Sequence, residues 1–122
     1  MKSQTSGRQL GKRIFTYDEA LNTFPLVRDL TAAAVRQIEA LGSNLSSRED
    51  LDARREEIEE AREKIVLAWA QELTSTIGCE VKGVWLVDWD SGDGYYCWRF
   101  PEQSISFFHA YDDGFAGRIP IN

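Results

Sequence analysis

Apolar residues in the first third of the chain recur at steps of three and four, which is the period of an amphipathic helix. Thr16 stands three residues before Glu19, so each side chain is placed to bond the other's free backbone N–H as a capping box. We therefore expect a short helix over residues 17–22. Pro25 disfavours a continuation of this helix but suits the first turn of a new one, so we expect a second helix over residues 25–41.

The next stretch contains neither proline nor glycine until Gly78, and it begins with Ser47 and Asp50 in the spacing of a helix N-cap. These features predict a third helix over residues 48–77, roughly 45 Å long against roughly 25 Å for the second helix. The connection between the two helices is short, which predicts an antiparallel hairpin. We expect the charged first half of the third helix to lie beside the second helix and the apolar second half to pack on a sheet.

After residue 80 the apolar residues follow a period of two, which indicates strands. The expected strands cover residues 81–90, 95–100 and 105–110. The fold class that follows is α+β, with a short N-terminal helix and a long antiparallel helical hairpin packed on a three-stranded antiparallel β-meander. At 122 residues the chain has the length of one domain, which we place at residues 14–122 behind a flexible basic tail at residues 1–13.

The strand register determines which side chains can meet. Two four-residue turns would pair the following residues across the sheet: Trp85 with Phe100, Val87 with Trp98, Trp89 with Tyr96, Trp98 with Phe107, and Tyr96 with His109. One face is then almost wholly aromatic, whereas the other is half apolar and needs cover from a loop, a helix or a second subunit. This register places Cys97 and His109 on opposite faces, so we expect no thiol nucleophile activated by this histidine.

Composition and charge argue against several classes of function. The net charge is −6. Every charged residue among the first 13 is a lysine or an arginine, so the rest of the chain has a more negative net charge. An acidic surface repels phosphate backbones, so we expect no nucleic-acid partner. The longest apolar run, residues 65–70, is far shorter than the roughly 20 residues that a membrane-spanning helix needs. No signal peptide is visible, and we expect a cytoplasmic protein whose two cysteines, Cys79 and Cys97, are reduced.

Several segments together carry a family resemblance. They are Tyr-Cys-Trp-Arg at residues 96–99, Phe-Phe-His at residues 107–109, and Asp-Gly-Phe-Ala-Gly-Arg-Ile-Pro at residues 113–120. The segments Phe-Thr-Tyr-Asp-Glu-Ala and Pro-Leu-Val-Arg, at residues 15–20 and 25–28, agree with them. The chain resembles the family of small, mostly bacterial proteins known as domain of unknown function 2203, over everything after the tail. The resemblance implies a shared fold and carries no activity, cofactor or partner.

A polar cluster able to carry chemistry lies at the end of the third predicted strand. Candidate metal ligands are His109, Asp112 and Asp113, because imidazole and carboxylate groups bind metal ions. Candidate ligand-binding residues are Cys97, Glu102, His109 and Arg118. We expect Arg118 to anchor the C-terminal segment by pairing with Asp112, Asp113 or Glu102.

Two other motifs do not fit a binding site. Asp88, Asp90 and Asp93 lack the spacing of a calcium-binding EF-hand loop, and we interpret them as solvated turn residues. Residues 114–118 contain two glycines and a cation but precede no predicted helix, so we do not expect a phosphate-binding loop.

The motifs of common enzymes are absent from the sequence, including the nucleophile elbow, Cys-x-x-Cys, His-Glu-x-x-His and the Walker loop. A single histidine excludes any mechanism that needs two within one subunit. We therefore expect a non-enzymatic interaction protein that forms a homodimer through its helical hairpin or its half-apolar sheet face. The alternative is a small-molecule or metal-binding domain, with or without hydrolytic activity, whose site comprises His109, Asp112, Asp113 and Arg118. The sequence names no cofactor, substrate or protein partner.

Overall fold

Helices precede the sheet along the chain. The structure, a computed structural model, describes residues 13–43, 45 and 47–121. The helical part before the sheet consists of α1 (Tyr17–Ala40), α2 (Arg48–Ala53), α3 (Arg55–Glu72) and a π-helical turn (Leu73–Ile77), and a short 3-10 helix (Phe115–Gly117) lies between the last two strands. None of the helices in the described part of the chain has the length and hydropathy needed to span a bilayer. Residues 1–12 of the predicted flexible tail lie outside the described residues.

Helix α1 continues through Pro25, so the expected division into helices over residues 17–22 and 25–41 is wrong. The buried residues of α1 form one stripe at alternating steps of four and three: Ala20, Phe24, Val27, Thr31 and Ala34. Proline in a helix interior costs about 3 kcal/mol. Burial of the stripe outweighs that cost, because each large apolar side chain contributes about 1.5–3 kcal/mol. The predicted capping box is confirmed, with Glu19 N donating to Thr16 Oγ1 at 3.1 Å and Thr16 N donating to Glu19 Oε1 at 2.8 Å.

The predicted third helix over residues 48–77 is interrupted twice. Arg54 leaves helical geometry, with φ −110° and ψ 10°, and separates α2 from α3. After α3 the backbone widens into the π-helical turn, which ends where Gly78 N bonds back to the first residue of the turn at 3.0 Å. Gly78 has φ +95°, a left-handed conformation that glycine adopts without strain. Arg13, expected in the flexible tail, is held at this end because its guanidinium donates to Ile77 O at 2.8 Å.

The sheet has five antiparallel strands that are neighbours in chain order. Their bounds are β1 Glu80–Gly83, β2 Leu86–Asp90, β3 Tyr95–Arg99, β4 Phe107–His109 and β5 Ile119–Pro120. The α+β class is therefore confirmed, whereas the three-stranded meander is wrong. The expected strand over residues 81–90 is a hairpin that reverses at Val84 and Trp85, and a fifth strand follows the last predicted one. Gly83 flanks this turn, but Trp85 has φ +66° where glycine is usual, so the sequence signal for a reversal is weak there.

The helices cover one face of the sheet, called the inner face below. Its strand residues are Val87, Trp89, Tyr96, Trp98 and Phe108. The ring of Trp98 lies edge-on to Phe24 of α1, at 5.3 Å between centroids. Two buried indole N–H groups find threonine acceptors on α1: Trp89 Nε1 donates to Thr23 Oγ1 and Trp69 Nε1 donates to Thr31 Oγ1, both at 2.8 Å. The inner face thus forms the hydrophobic core, with these polar groups bonded.

The opposite face, called the outer face below, carries polar and charged residues. They are Glu80, Lys82, Asp88, Asp90, Tyr95, Cys97 and His109. The C-terminal segment folds over this face, so the cover is a loop, one of the three covers expected. Tyr111 OH donates to the Asp90 carboxylate at 2.6 Å, and the side chain of Phe115 borders a pocket beside Asp88.

Candidate metal centre

The pairing of β3 with β4 determines where the single histidine lies. The β2–β3 register is as predicted, with Val87 opposite Trp98. The β3–β4 register is not, because His109 lies opposite Tyr95 and the predicted pairing with Tyr96 is wrong. A shift of one residue turns every side chain of a strand to the other face. His109 therefore points to the outer face.

The loop between β3 and β4 explains this shift. It spans residues 100–106, where a four-residue turn was expected. Trp98 Nε1 donates to Glu102 O at 2.7 Å, and Ile105 is fully buried. Tyr17 OH, at the start of α1, donates to Ile105 O at 2.6 Å. Packing of the loop against the helix and the core therefore sets where β4 begins.

Asp88, Cys97 and His109 form one cluster on the outer face. Their ligand atoms, a carboxylate oxygen, the thiol sulfur and an imidazole nitrogen, all lie within 4.8 Å of one another. Only 1%, 0% and 4% of these three residues is exposed. The prediction that Cys97 and His109 lie on opposite faces is therefore wrong, and so is the interpretation of Asp88 and Asp90 as solvated, since both are buried. Oxygen, sulfur and nitrogen are the donors that zinc takes in proteins.

His109 is oriented by a backbone carbonyl. Its Nδ1 lies 2.9 Å from Ala110 O, and a carbonyl oxygen only accepts, so Nδ1 carries the hydrogen. Its Nε2 lies 2.9 Å from Asp88 Oδ2. An imidazole nitrogen and a carboxylate oxygen at this separation can share a hydrogen bond, and both are donor atoms that metal ions take in proteins. Metal-binding histidines are typically held in this way, with the remote N–H on a carbonyl or carboxylate.

Asp88 is buried with one carboxylate oxygen unpaired. Its Oδ2 accepts a hydrogen bond from Lys82 Nζ at 3.2 Å in addition to its contact with His109. Among the described residues, its Oδ1 has no hydrogen-bond partner. A buried polar atom without a partner costs about 1–3 kcal/mol, and more when it is charged. A metal ion bound by this carboxylate would remove that penalty.

The ammonium group of Lys82 places a positive charge beside the cluster, at the carboxylate of Asp88. Burial lowers the pKa of Lys82, but the charge and the hydrogen bond of Asp88 raise it by more, so its pKa is raised. The ammonium group also lies 3.6 Å from Glu80 Oε1 and 3.6 Å from the centroid of the Tyr95 ring. Lys82 therefore keeps its positive charge at neutral pH.

The two cysteines are both buried free thiols. Burial, followed by the negative charge of Asp88, raises the pKa of Cys97 to about 12, and Arg118 opposes this only in part. Burial likewise raises the pKa of Cys79, in the core beneath the helices, to about 12. A thiol of this kind is protonated and a poor nucleophile at neutral pH. It becomes a thiolate when a metal ion displaces its proton.

Arg118 ties the C-terminal segment to the loop before β4. Its guanidinium donates two hydrogen bonds to Glu102, at 2.9 and 2.8 Å, so Glu102 is its partner among the three considered. It lies between two aromatic rings, 4.1 Å from the Phe107 centroid and 4.0 Å from that of Phe115. Burial raises the pKa of Glu102, but the hydrogen bonds from Arg118 and from Arg99 N lower it by more, so its pKa is lowered.

A small pocket of about 230 Å³ adjoins the cluster. Its lining residues are Lys82, Leu86, Asp88, His109, Asp113, Gly114 and Phe115. Both Asp112 and Asp113 are exposed, and Asp113 borders this pocket. Neither aspartate belongs to the cluster of ligand atoms within 4.8 Å. The ligand set of His109, Asp112 and Asp113 stays a prediction, and the geometry gives His109 two nearer partners.

Asp88 is the residue that the sequence reasoning missed. It stands inside the run Trp-Leu-Val-Asp-Trp, between residues that a buried strand would contain. A carboxylate is almost never fully buried unless it is paired. An acidic residue within an apolar strand was therefore a usable signal of a buried polar site.

Comparison with known proteins identifies the family of the chain. No curated protein and no solved structure matches it. The model of one family, described as an uncharacterized conserved protein (DUF2203), matches residues 13–121, which include Asp88, Cys97 and His109. The chain therefore belongs to the DUF2203 family, as the resemblance of its segments predicted.

Proposed function

We propose that this protein binds a zinc ion through Asp88, Cys97 and His109. The observation that carries the proposal is the burial of three different ligand atoms within 4.8 Å of one another. Two features add support: the unpaired Oδ1 of Asp88 and the orientation of His109 by Ala110 O. This mixed donor set suits zinc better than calcium or magnesium, which prefer oxygen ligands alone.

Three protein ligands leave one position open on a tetrahedral zinc ion. Structural zinc sites are closed by four protein ligands, whereas catalytic sites keep the fourth position for water or substrate. The pocket of about 230 Å³ beside Asp88 and His109 has room for either. Hydrolysis by a zinc-bound water is the reaction class that such a site would support. The geometry thus favours the metal-binding alternative considered from the sequence, with a different ligand set.

Metal uptake by protein purified without a histidine tag tests this proposal. We expect the metal-free wild type to take up one zinc ion per chain in competition with a chromophoric chelator. Cobalt in the same site should give a thiolate-to-cobalt absorption band in the near ultraviolet. Cys97→Ala should abolish that band and weaken zinc binding about 100-fold or more, because loss of a second-shell group alone costs about 10–100-fold.

Cys79→Ala is the matched control. Cys79 is buried like Cys97 but lies in the hydrophobic core between the helices and the inner face. Its removal should therefore leave the zinc affinity and the cobalt absorption band unchanged. Asp88→Asn and His109→Gln should weaken zinc binding as Cys97→Ala does, while circular dichroism checks that each variant is folded. A wild type that takes up no stoichiometric metal, or equal losses in the two cysteine variants, would contradict the proposal.

A second candidate function is that of a homodimeric interaction module. It is favoured by a groove of about 370 Å³ between α1 and α3, whose floor includes Leu30, Ile65 and Trp69. Lys64 and Glu72 border the same groove and stand eight residues apart on α3. A two-fold related copy with antiparallel α3 helices would pair each lysine with the glutamate of the other copy. The groove is therefore self-complementary in charge.

Light scattering coupled to size-exclusion chromatography tests the dimer at micromolar concentration. We expect twice the chain mass for the wild type and the monomer mass for Lys64→Glu, because like charges would then face each other across the axis. The double variant with Lys64→Glu and Glu72→Lys should restore the dimer. A monomeric wild type would contradict this second candidate.

We further propose a cytoplasmic location, with no nucleic-acid or membrane partner. The support is the net charge of −6, which opposes phosphate backbones, and the two free cysteines, which suit a reducing compartment. Two reactive thiols per chain are expected when the protein is unfolded without reductant. A disulfide in that experiment would count against a reducing compartment.

A further inference from the structure

The pocket beside the proposed zinc ligands has a cationic wall. Lys82 borders it together with Asp88 and His109, and 34% of the Lys82 side chain is exposed. Its ammonium group lies 3.2 Å from Asp88 Oδ2. This oxygen belongs to the carboxylate that would also bind zinc. A ligand in this pocket would therefore meet two positive centres side by side.

Two cations on one carboxylate repel each other, and an oxyanion that touches both relieves that repulsion. One of its oxygens would fill the open position of the zinc ion, and another would accept a charge-assisted hydrogen bond from Lys82 Nζ. The volume of about 230 Å³ lies below the usual range for drug-sized ligands, so the occupant has few heavy atoms.

We propose that this pocket binds a small oxyanion, a carboxylate or an inorganic phosphate group, between the zinc ion and Lys82. The inference rests on the proposed zinc site. It assigns Lys82 the role of an anion-binding residue and not of a metal ligand. Lys82 therefore affects the two ligands in opposite directions, since it repels the metal ion and attracts the anion.

Asp113 borders the same pocket with the opposite charge. Its side chain packs against Gly117, where an added Cβ would lie only 2.7 Å from Asp113 Cβ. Because a carboxylate repels an oxyanion, Asp113 opposes the attraction of Lys82. Replacing it with the neutral amide provides a control whose expected effect on the anion has the opposite sign.

The experiment is an anion titration of the cobalt-loaded protein followed by its visible absorption bands. Acetate and inorganic phosphate are the two probes, and the one that binds more tightly identifies the class of oxyanion. Lys82→Met should weaken the anion about tenfold or more, because a charge-assisted hydrogen bond is lost, while cobalt binds at least as tightly as in the wild type. Lys82→Arg, which keeps the charge, should retain most of the anion affinity, and Asp113→Asn should increase it.

The outcomes separate this inference from the proposed function. A wild type that binds no cobalt overturns the zinc site and the anion site together. A wild type that binds cobalt but shows no spectral response to either anion overturns the anion site alone. Equal anion affinity in the wild type and in Lys82→Met, with cobalt bound in both, also overturns the anion site and leaves the zinc site standing.

Discussion

The two faces of the sheet are equally buried at their centres but differ in chemistry. On the inner face, Val87, Trp89 and Trp98 are each 0% exposed, and the indole N–H groups of both tryptophans are hydrogen-bonded. On the outer face, the equally buried Asp88 and Cys97 carry a carboxylate and a thiol, and one oxygen of Asp88 has no hydrogen-bond partner in the described part of the chain. Within the described residues, the two indole groups of the inner face are hydrogen-bonded, whereas this carboxylate oxygen of the outer face is not.

This difference indicates which face serves stability. Burial of apolar surface stabilises the fold by about 25 cal/mol per Å², whereas burial of charge costs free energy unless it is fully paired. The aromatic inner face therefore contributes most of the stability. Functional sites often break the rule that buried polar groups are hydrogen-bonded, and the Asp88 carboxylate on the outer face breaks it.

The largest expected effect comes from truncating the inner face. Trp98→Ala should lower the free energy of unfolding by about 3–5 kcal/mol, because a fully buried indole is replaced by a cavity. The neighbouring outer-face variant Cys97→Ala should cost only about 1 kcal/mol, since it removes one buried atom. Urea unfolding of the metal-free proteins measures both. Equal losses of unfolding free energy in the two variants would contradict the conclusion that the inner face contributes most of the stability.

A smaller effect is expected at Gly94, where the chain passes close to the backbone of β4. A Cβ at Gly94 would lie 2.6 Å from His109 O and 2.6 Å from the Phe108 ring, so β3 and β4 would have to separate. Gly94→Ala should cost about 1–3 kcal/mol by overpacking and should also weaken zinc binding, because His109 moves. Gly42→Ala is the control, since a Cβ there would meet no atom of the described residues within 4 Å. Normal zinc affinity in a destabilised Gly94→Ala protein would disagree with this coupling.

The smallest effect is expected at the rim of the outer face and depends on pH. Because the pKa of Glu102 is lowered in the folded state, its contribution to stability is present above the pKa of the unfolded chain and is lost as the pH falls through the folded pKa. Glu102→Gln should therefore lower the free energy of unfolding by about 1 kcal/mol at pH 7. Urea unfolding as a function of pH should show this difference shrinking below the ordinary pKa of 4.5. A difference that stays constant with pH would exclude the ionised pair as its cause.

Local features were predictable from the sequence where one short segment determines them. The capping box of Thr16 and Glu19 is an example, because both hydrogen bonds lie within one helical turn. The hairpin register that places Val87 opposite Trp98 is another, because a glycine-rich turn joins strands whose aromatic residues alternate. The family and the α+β class were also predictable, since they depend on motifs and on the order of elements.

Features set by distant contacts were not predictable in this way. Pro25 signals a helix boundary locally, yet the buried stripe on both sides of it keeps α1 continuous. Trp85 turns the chain in a backbone conformation that favours glycine, and its ring packs edge-on against Trp69 at 4.8 Å. In both cases the packing of distant residues outweighs a local preference of a few kcal/mol.

The sequence by itself determined the helical stripes, the β2–β3 hairpin and the residue types available for chemistry on each strand. Only the tertiary structure decided that Asp88, Cys97 and His109 meet. Tyr17 on α1 binds Ile105 O, and this contact sets the path of the loop before β4. The position of that loop places the β3–β4 register one residue away from the register expected from the sequence. Because side chains alternate along a strand, a shift of one residue moves the only histidine of the chain from the aromatic face to the face that holds the carboxylate and the thiol.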